Sequence, residues 1–472
     1  MEGSIVFYPI MAMGHLVSMV ELAKLIVRHY HHRYSVTIII AEGPLLTPDV
    51  TAFLRHISET TNSITFHHLP TLSMKPSPNC ASIHTEFIHP NNPNLSHALQ
   101  TSSKSSKVQA FVIDVFPTAA LSVASDLGIP TYFFLTSGAV TLSLLLYLPI
   151  IHNQTTKSFK DIPTTHFHFP GLPPMPASYM PGPVQDREDQ VYNDILEIGL
   201  NLRRSKGIIV NTFECLESTL IKAITDGLCV PNASTPPVYC IGPLIATPKN
   251  EGEAVNQCMS WLDTQPSQSV VFLSFGSRGV FSAEQVREIA IGLEKSGQRF
   301  LWVVRKPVSE DNSKQSSVEI KDPDLDAMLP QGFLDRTKEK GLVIKLWAPQ
   351  VKVLSHESVG GFVTHCGWNS VLEAVCTGVP MVAWPLYSEQ RMNKAFLVEE
   401  MKLAMPMDVS EDGLVSAAEV EKRVTTLMKS EEGRVLRERS QMMKEKAMAA
   451  WTKCGSFMTA FNKLAESWIN QQ

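Results

Sequence analysis

The sequence predicts an α/β protein with two domains, each built on a parallel sheet. Short β-rich apolar runs alternate with helical patterns along almost the whole chain. The alternation breaks near residue 240 and resumes near 253. The length, 472 residues, is about three times a typical domain of roughly 150, which suits two large domains. Strands that alternate with helices imply βαβ units, whose ligands sit at the carboxyl ends of the strands.

SIVFY at 4–8 opens the pattern as a strand, followed by a loop and a helix from Val17 to Arg28. VTIII (36–40), ITFHHL (64–69) and AFVIDVF (110–116) read as the next strands. From Thr131 to Ile151 no charged residue appears, and a hydropathy window alone would mark a membrane span. Thr136-Ser137-Gly138 in its middle favours a buried strand at 131–135, a turn and a buried helix at 138–150, with no stable membrane insertion. VVFLSF (270–275), FLWVV (300–304), VIKLW (343–347), GGFVTH (360–365) and MVAW (381–384) repeat the pattern.

The expected division is 1–240, a Pro- and Gly-rich linker at 241–252, 253–450, and a terminal helix at 451–472 that packs back on the first domain. Residues 161–185 are too rich in proline for a helix or central strand and read as a long surface loop. Residues 306–330 are polar and charged, an exposed excursion.

Forty-one Lys and Arg against 46 Asp and Glu give a formal charge of −5, so the basic field that phosphate contacts require is missing and no nucleic-acid partner is expected. With 44% hydrophobic and 18% charged residues, disorder is also excluded. The eight cysteines form no CxxC pair. The start, MEGSIVFYPIMAMGHLV, has no basic stretch before its apolar run, so the expected location is the reducing cytoplasm and the sequons at Asn94, Asn153 and Asn232 are chance matches. HYHHR at 29–33 reads as a solvated turn; no metal is expected, and the protein is expected to be a monomer.

The stretch from Trp347 to Gln390 is the most informative. A strand ends at Thr364-His365, Cys366-Gly367-Trp368 follow, and a helix opens at Asn369-Ser370, residue types that cap free backbone N–H groups. Those N–H groups and the helix dipole suit a phosphate. Gly367 lets the backbone come close, and His365 can donate to a phosphate oxygen. Glu373, one turn into the helix, suits a ribose diol, and the Trp347 ring can stack on a base.

This stretch closely resembles the signature box of plant family-1 glycosyltransferases, which use UDP-sugars and have the GT-B fold of two facing Rossmann-like domains. Trp347, Ala348, Pro349, Gln350, His365, Gly367, Trp368, Asn369, Ser370, Glu373, Pro385 and Gln390 all fit without a gap. GHLVSMVELAKLI (14–26), GIIVNTFECLE (207–217) and SFGS (274–277) extend the resemblance over nearly the whole chain. The resemblance implies that Trp347 stacks on uracil, with the Ala348 main chain and the Gln350 region at its edge. It implies that Glu373 binds ribose and that Ser277, His365, Asn369 and Ser370 cradle the phosphates. Trp368, Glu389 and Gln390 would bond the sugar. Gln390 is similar to glucose-preferring members, whereas Glu389 stands where Asp is commoner.

His15 lies at a helix start, where a lone histidine is often only a cap. Asp114 changes that reading, because it sits in an apolar run where an unpaired carboxylate would be costly to bury. Adjacent parallel strands would bring the two to one sheet edge, and the pair resembles the family's catalytic His–Asp dyad. Thr136 resembles a residue contacting the donor sugar, or else caps the next helix. Met11, Phe116, Phe133 and Phe134 lie near strand ends and line an apolar acceptor pocket, or else belong to the core.

The expected activity is inverting transfer of glucose from UDP-glucose, a co-substrate, to a small phenolic acceptor such as a flavonoid or chalcone. Alternatives are a UDP-sugar epimerase of the same fold, a silent UDP-sugar binder, or transfer to a terpenoid or to carbon.

Overall fold

Continuous apolar strands covered on both faces define the computed structural model, which describes residues 3–43, 46–72, 87–246, 252–306 and 323–469. The expected linker at 241–252 and polar excursion at 306–330 lie partly outside these residues. The chain divides into two units, Met1–Ala246 with Ala449–Gln472, and Thr247–Met448.

In the first unit, the described strands are β1 (Gly3–Tyr8), β2 (Tyr34–Ile40), β3 (Ile64–His68), β4 (Val108–Asp114), β5 (Thr131–Leu135), β6 (His166–Phe167), β7 (Met175–Pro176), β8 (Gly207–Val210) and β9 (Val238–Cys240). All but β6 and β7 form one parallel sheet in the order β3-β2-β1-β4-β5-β8-β9. The order reverses between β1 and β4, where Phe7 pairs with Val112 and Tyr8 with Ile113, so their carboxyl ends are level. A reversal of this kind opens a crevice at the strand ends.

The helix after β1 begins at Met13, earlier than the expected Val17, and brings His15 into its first turn. The apolar run at 131–151 resolves into β5 and the helix Ala139–Gln154. Among the described residues no helix is long and apolar enough to cross a membrane. That helix contains Pro149, which cannot donate to the carbonyl four residues back. Gly199 packs so closely there that a Cβ would stand 2.2 Å from the Leu145 oxygen. Arg203 donates to the Leu146 oxygen at 2.6 Å.

The proline-rich segment is more than a surface loop. It pairs β6 with β7 antiparallel and buries Phe169, Met175 and Met180. Proline excludes long strands there but permits a two-residue ladder. The helix Ser456–Ile469 lies against the first sheet: Trp468 has no exposed surface and meets Tyr34 edge-on at 5.6 Å, and Ser467 shares a 2.9 Å hydrogen bond with Tyr132.

The second unit holds β10 (Val270–Ser274), β11 (Arg299–Val304), β12 (Gly341–Lys345), β13 (Val359–Thr364), β14 (Met381–Ala383) and β15 (Ala404–Pro406). They form a parallel sheet in the order β12-β11-β10-β13-β14-β15. The order reverses between β10 and β13, with Ser274 opposite Thr364. Phe272 and Phe362 stack across that pair at 5.3 Å.

Candidate active site

The reversal in the first sheet brings His15 and Asp114 together. His15 Nδ1 lies 2.8 Å from Asp114 Oδ2. Asp114 has no exposed surface, while the His15 side chain is 28% exposed. The other carboxylate oxygen accepts from the Phe116 backbone N–H at 3.4 Å. A buried carboxylate is thereby satisfied by an imidazole that keeps one edge accessible. Thr136 Oγ1 approaches the same Nδ1 at 3.2 Å.

Thr136 is not a helix cap. The N-cap of the next helix is Gly138, with no side-chain bond of its own. Glu217 accepts from Ala139 N at 2.8 Å and Val140 N at 3.1 Å instead. Burial pushes the Glu217 carboxyl up to about 7. Sequence reasoning missed this role, although Glu217 closes the GIIVNTFECLE segment.

The expected pocket aromatics divide. Phe116 is partly exposed, with its ring 5.3 Å from His15. Met11 lines a small concavity with Tyr8, Ala41, Phe87, Ile88 and Pro117. Phe133 and Phe134 have no exposed surface and belong to the core, correcting the expectation that they line a pocket. A strand covered on both faces hides successive side chains alike, so position near its end does not reveal access.

In the second unit, β10 runs into Phe275-Gly276-Ser277 and β13 into His365-Cys366-Gly367. His365 is 6% exposed and Ser277 is exposed. A Cβ at Gly276 would stand 2.6 Å, and one at Gly367 2.4 Å, from His365 Nε2. Two glycines therefore keep that ring edge clear of side chains. Nδ1 is buried without a hydrogen-bond partner among the described residues, and burial lowers the imidazole to about 4. His365 is neutral near pH 7.

The helix Trp368–Thr377 has Gly367 as its N-cap, without a side-chain bond. Asn369 and Ser370 therefore lie inside the first turn and are not its caps, contrary to expectation. Ser370 and Glu373 instead accept from Gln350 Nε2 at 2.8 and 2.6 Å. Burial pushes the Glu373 carboxyl up to about 7, with the Gln350 bond opposing it. Trp347 is 47% exposed beside buried Ala348, so its indole offers an open stacking face.

Trp368 is buried and Glu389 partly buried; Gln390 accepts through Oε1 from Leu386 N at 2.8 Å and Tyr387 N at 2.9 Å. Two residues that sequence reasoning missed border this group. Tyr387 lies 6.0 Å from the His365 ring, and the Arg278 guanidinium lies 5.5 Å over Tyr387. Tyr387 lies within the 347–390 stretch and Arg278 directly follows SFGS, but neither residue type signals before folding that the two will meet beside His365. The Cys366 thiol is fully buried and pushed up to about 12, so it does not form a reactive pair with His365. Among the described residues no group of His, Cys, Asp and Glu is arranged to hold a metal ion.

Two doubly wound α/β units, each with polar groups gathered where its strand order reverses, define a nucleotide-dependent enzyme of the GT-B class. The chain belongs to the UDP-glucoronosyl and UDP-glucosyl transferase family, whose model matches residues 91–434, and is a UDP-glycosyltransferase. It is 53% identical over 469 residues to UDP-glycosyltransferase 88F3 of Pyrus communis, covering 97% of each chain. It is 51% identical over 471 residues to a phloretin 2'-O-glucosyltransferase of Malus domestica, again covering 97% of each. The solved structure of Phytolacca americana UGT2 complexed with UDP-2fluoro-glucose and pterostilbene matches with a TM-score of 0.87 and 36% identity, over 99% of this chain and 100% of that one.

Proposed function

We propose that the chain transfers glucose from UDP-glucose to a hydroxyl group of a small phenolic acceptor, with inversion, giving a β-glucoside and UDP. The observation that carries this reading is the 2.8 Å contact between half-buried His15 and buried Asp114. The tautomer that donates from Nδ1 to Asp114 makes Nε2 the basic nitrogen. Nε2 takes the acceptor hydroxyl proton as the oxygen attacks the anomeric carbon on the face opposite UDP. Asp114 orients the ring and stabilises the imidazolium. The bond to the diphosphate breaks, and its electron pair leaves with UDP.

In this proposal the second unit holds the donor. Trp347 stacks on uracil and Glu373 takes the ribose hydroxyls. Ser277, His365 and the N–H groups from Trp368 to Ser370 hold the diphosphate, and Trp368, Glu389 and Gln390 bond the sugar. His365 meets the diphosphate with the ring edge that Gly276 and Gly367 leave clear. Thr136 joins the site through His15, and the first unit takes the acceptor against Met11 and Phe116. A phenolic acceptor is supported by the phloretin-glucosylating relative and by pterostilbene beside a UDP-sugar in the Phytolacca protein.

The test is incubation with UDP-glucose and a panel of chalcones, flavonoids and terpenoid alcohols, with product analysis. A phenolic β-O-glucoside is expected. His15→Ala should lower kcat by roughly 10²–10⁴. Undiminished turnover by that variant, or isomerised donor without a glucoside, would overturn the proposal.

A further inference from the structure

Cys366 holds a backbone conformation that residues other than glycine rarely adopt, with φ +64°. It sits between His365 and Gly367, so its dihedrals set the direction of the imidazole on one side and of the helix start on the other. Both of its peptide groups are held by buried side chains. Its N–H donates to Thr364 Oγ1 at 3.3 Å, and its carbonyl accepts from Asn393 Nδ2 at 3.0 Å.

Asn393 lies outside the 347–390 stretch, on the helix Gln390–Ala395, and has no exposed surface. Its backbone N–H bonds the Glu389 oxygen at 3.0 Å. The same short helix begins with Gln390, whose Oε1 fixes the 386–387 backbone. Asn393 Oδ1 is buried without a partner among the described residues. The opposite amide orientation would set two oxygens face to face, so the Cys366 carbonyl determines how the side chain points. An apolar residue of similar volume would fill this space without burying an unsatisfied oxygen. Packing alone therefore does not account for an asparagine here.

We infer that Asn393 is a positioning residue, tying the turn that cradles the diphosphate to the helix that presents Glu389 and Gln390 to the sugar. The inference rests on the donor assignment proposed above. Without the Asn393 bond, the Cys366 carbonyl loses the buried donor that fixes its direction, while its N–H keeps the 3.3 Å contact with Thr364. His365 and the first-turn N–H groups then lose their common orientation, and the diphosphate and sugar ends of the donor are no longer held in fixed relation.

Asn393→Leu and the smaller Asn393→Ala, neither of which can donate, test this in the full-length enzyme. UDP binding by calorimetry, KM for each substrate, kcat, and unfolding temperature without ligand are measured together. The UDP Kd and the UDP-glucose KM should rise roughly 10-fold, the loss expected for one buried hydrogen bond. The acceptor KM should stay within about twofold, a split that simple loss of folded protein would not produce, because it lowers kcat and leaves both KM values in place. Donor KM and UDP Kd unchanged within twofold in the folded variants would overturn the inference, as would a fall in kcat alone. Trp347→Ala separates the two levels. If it leaves UDP binding intact, the donor assignment itself fails; if it weakens UDP while the Asn393 variants do not, only the Asn393 inference fails.

Discussion

At the scale of single residues, His365 shows how burial decides chemistry. Its folded value of about 4 lies below the ordinary histidine value near 6.5, so the unfolded chain binds a proton here that the folded chain refuses. Stability from this group is complete above about pH 6.5 and falls by roughly 3 kcal/mol as pH drops through 4. Glu217 and Glu373, both pushed up to about 7, act oppositely: folding favours their neutral forms, and that stability is lost as pH rises toward 7. The urea midpoint of the wild-type chain relative to that of His365→Gln should therefore drop between pH 7 and pH 4, the two glutamates acting alike in both; parallel curves would contradict the assignment. Asp114 was legible in the sequence, because a carboxylate inside AFVIDVF demands a partner and the strand order supplies one candidate. The Nδ1 of His365, without a partner among the described residues, and the bond from Asn393 to Cys366 were not, since each depends on which atoms face one another after folding.

At the scale of elements, the turns after β10 and β13 matter more than the strands they follow. Gly276 has φ +74°, and both it and Gly367 leave Nε2 of His365 uncovered. Gly367→Ala would place a methyl 2.4 Å from that nitrogen and force the ring aside. Strain of this kind costs roughly 1–3 kcal/mol. UDP should bind at least about 10-fold more weakly to Gly367→Ala, as read by calorimetry. Unchanged affinity would show that the ring is not part of the phosphate cradle. Strands with long apolar runs were legible from sequence. β8, β9 and β15 were not, because three or four residues show no period and gain their strand identity from the neighbour they pair with. The caps were misread for a similar reason: Asn369 and Ser370 favour helix starts, but Gly367 already occupies the N-cap.

At the scale of the molecule, both large sheets run outward from a central reversal, and the chemistry-bearing residues of each unit collect at that reversal. This was the most legible level, because alternation of strand and helix fixes which ends of the strands carry loops. On the proposed reading, the N–H groups of one helix start hold the diphosphate in a chain whose net charge is −5. UDP at about 100 times its Kd should stabilise the chain by roughly 2.7 kcal/mol. Hydrogen exchange should slow at 274–279, 346–350 and 365–373; slowing confined to 3–43 and 108–136 would reverse the proposed division of labour. The helix Ser456–Ile469 has a different consequence, which concerns time. Trp468 fills a site between Tyr34 and Tyr132, in the unit made first. Synthesis at roughly 5–20 residues per second leaves that site empty for tens of seconds after β9 emerges. During that interval the nascent chain carries an uncovered aromatic hollow, and emergence of the helix Ser456–Ile469, not completion of the first sheet, is the event that closes it.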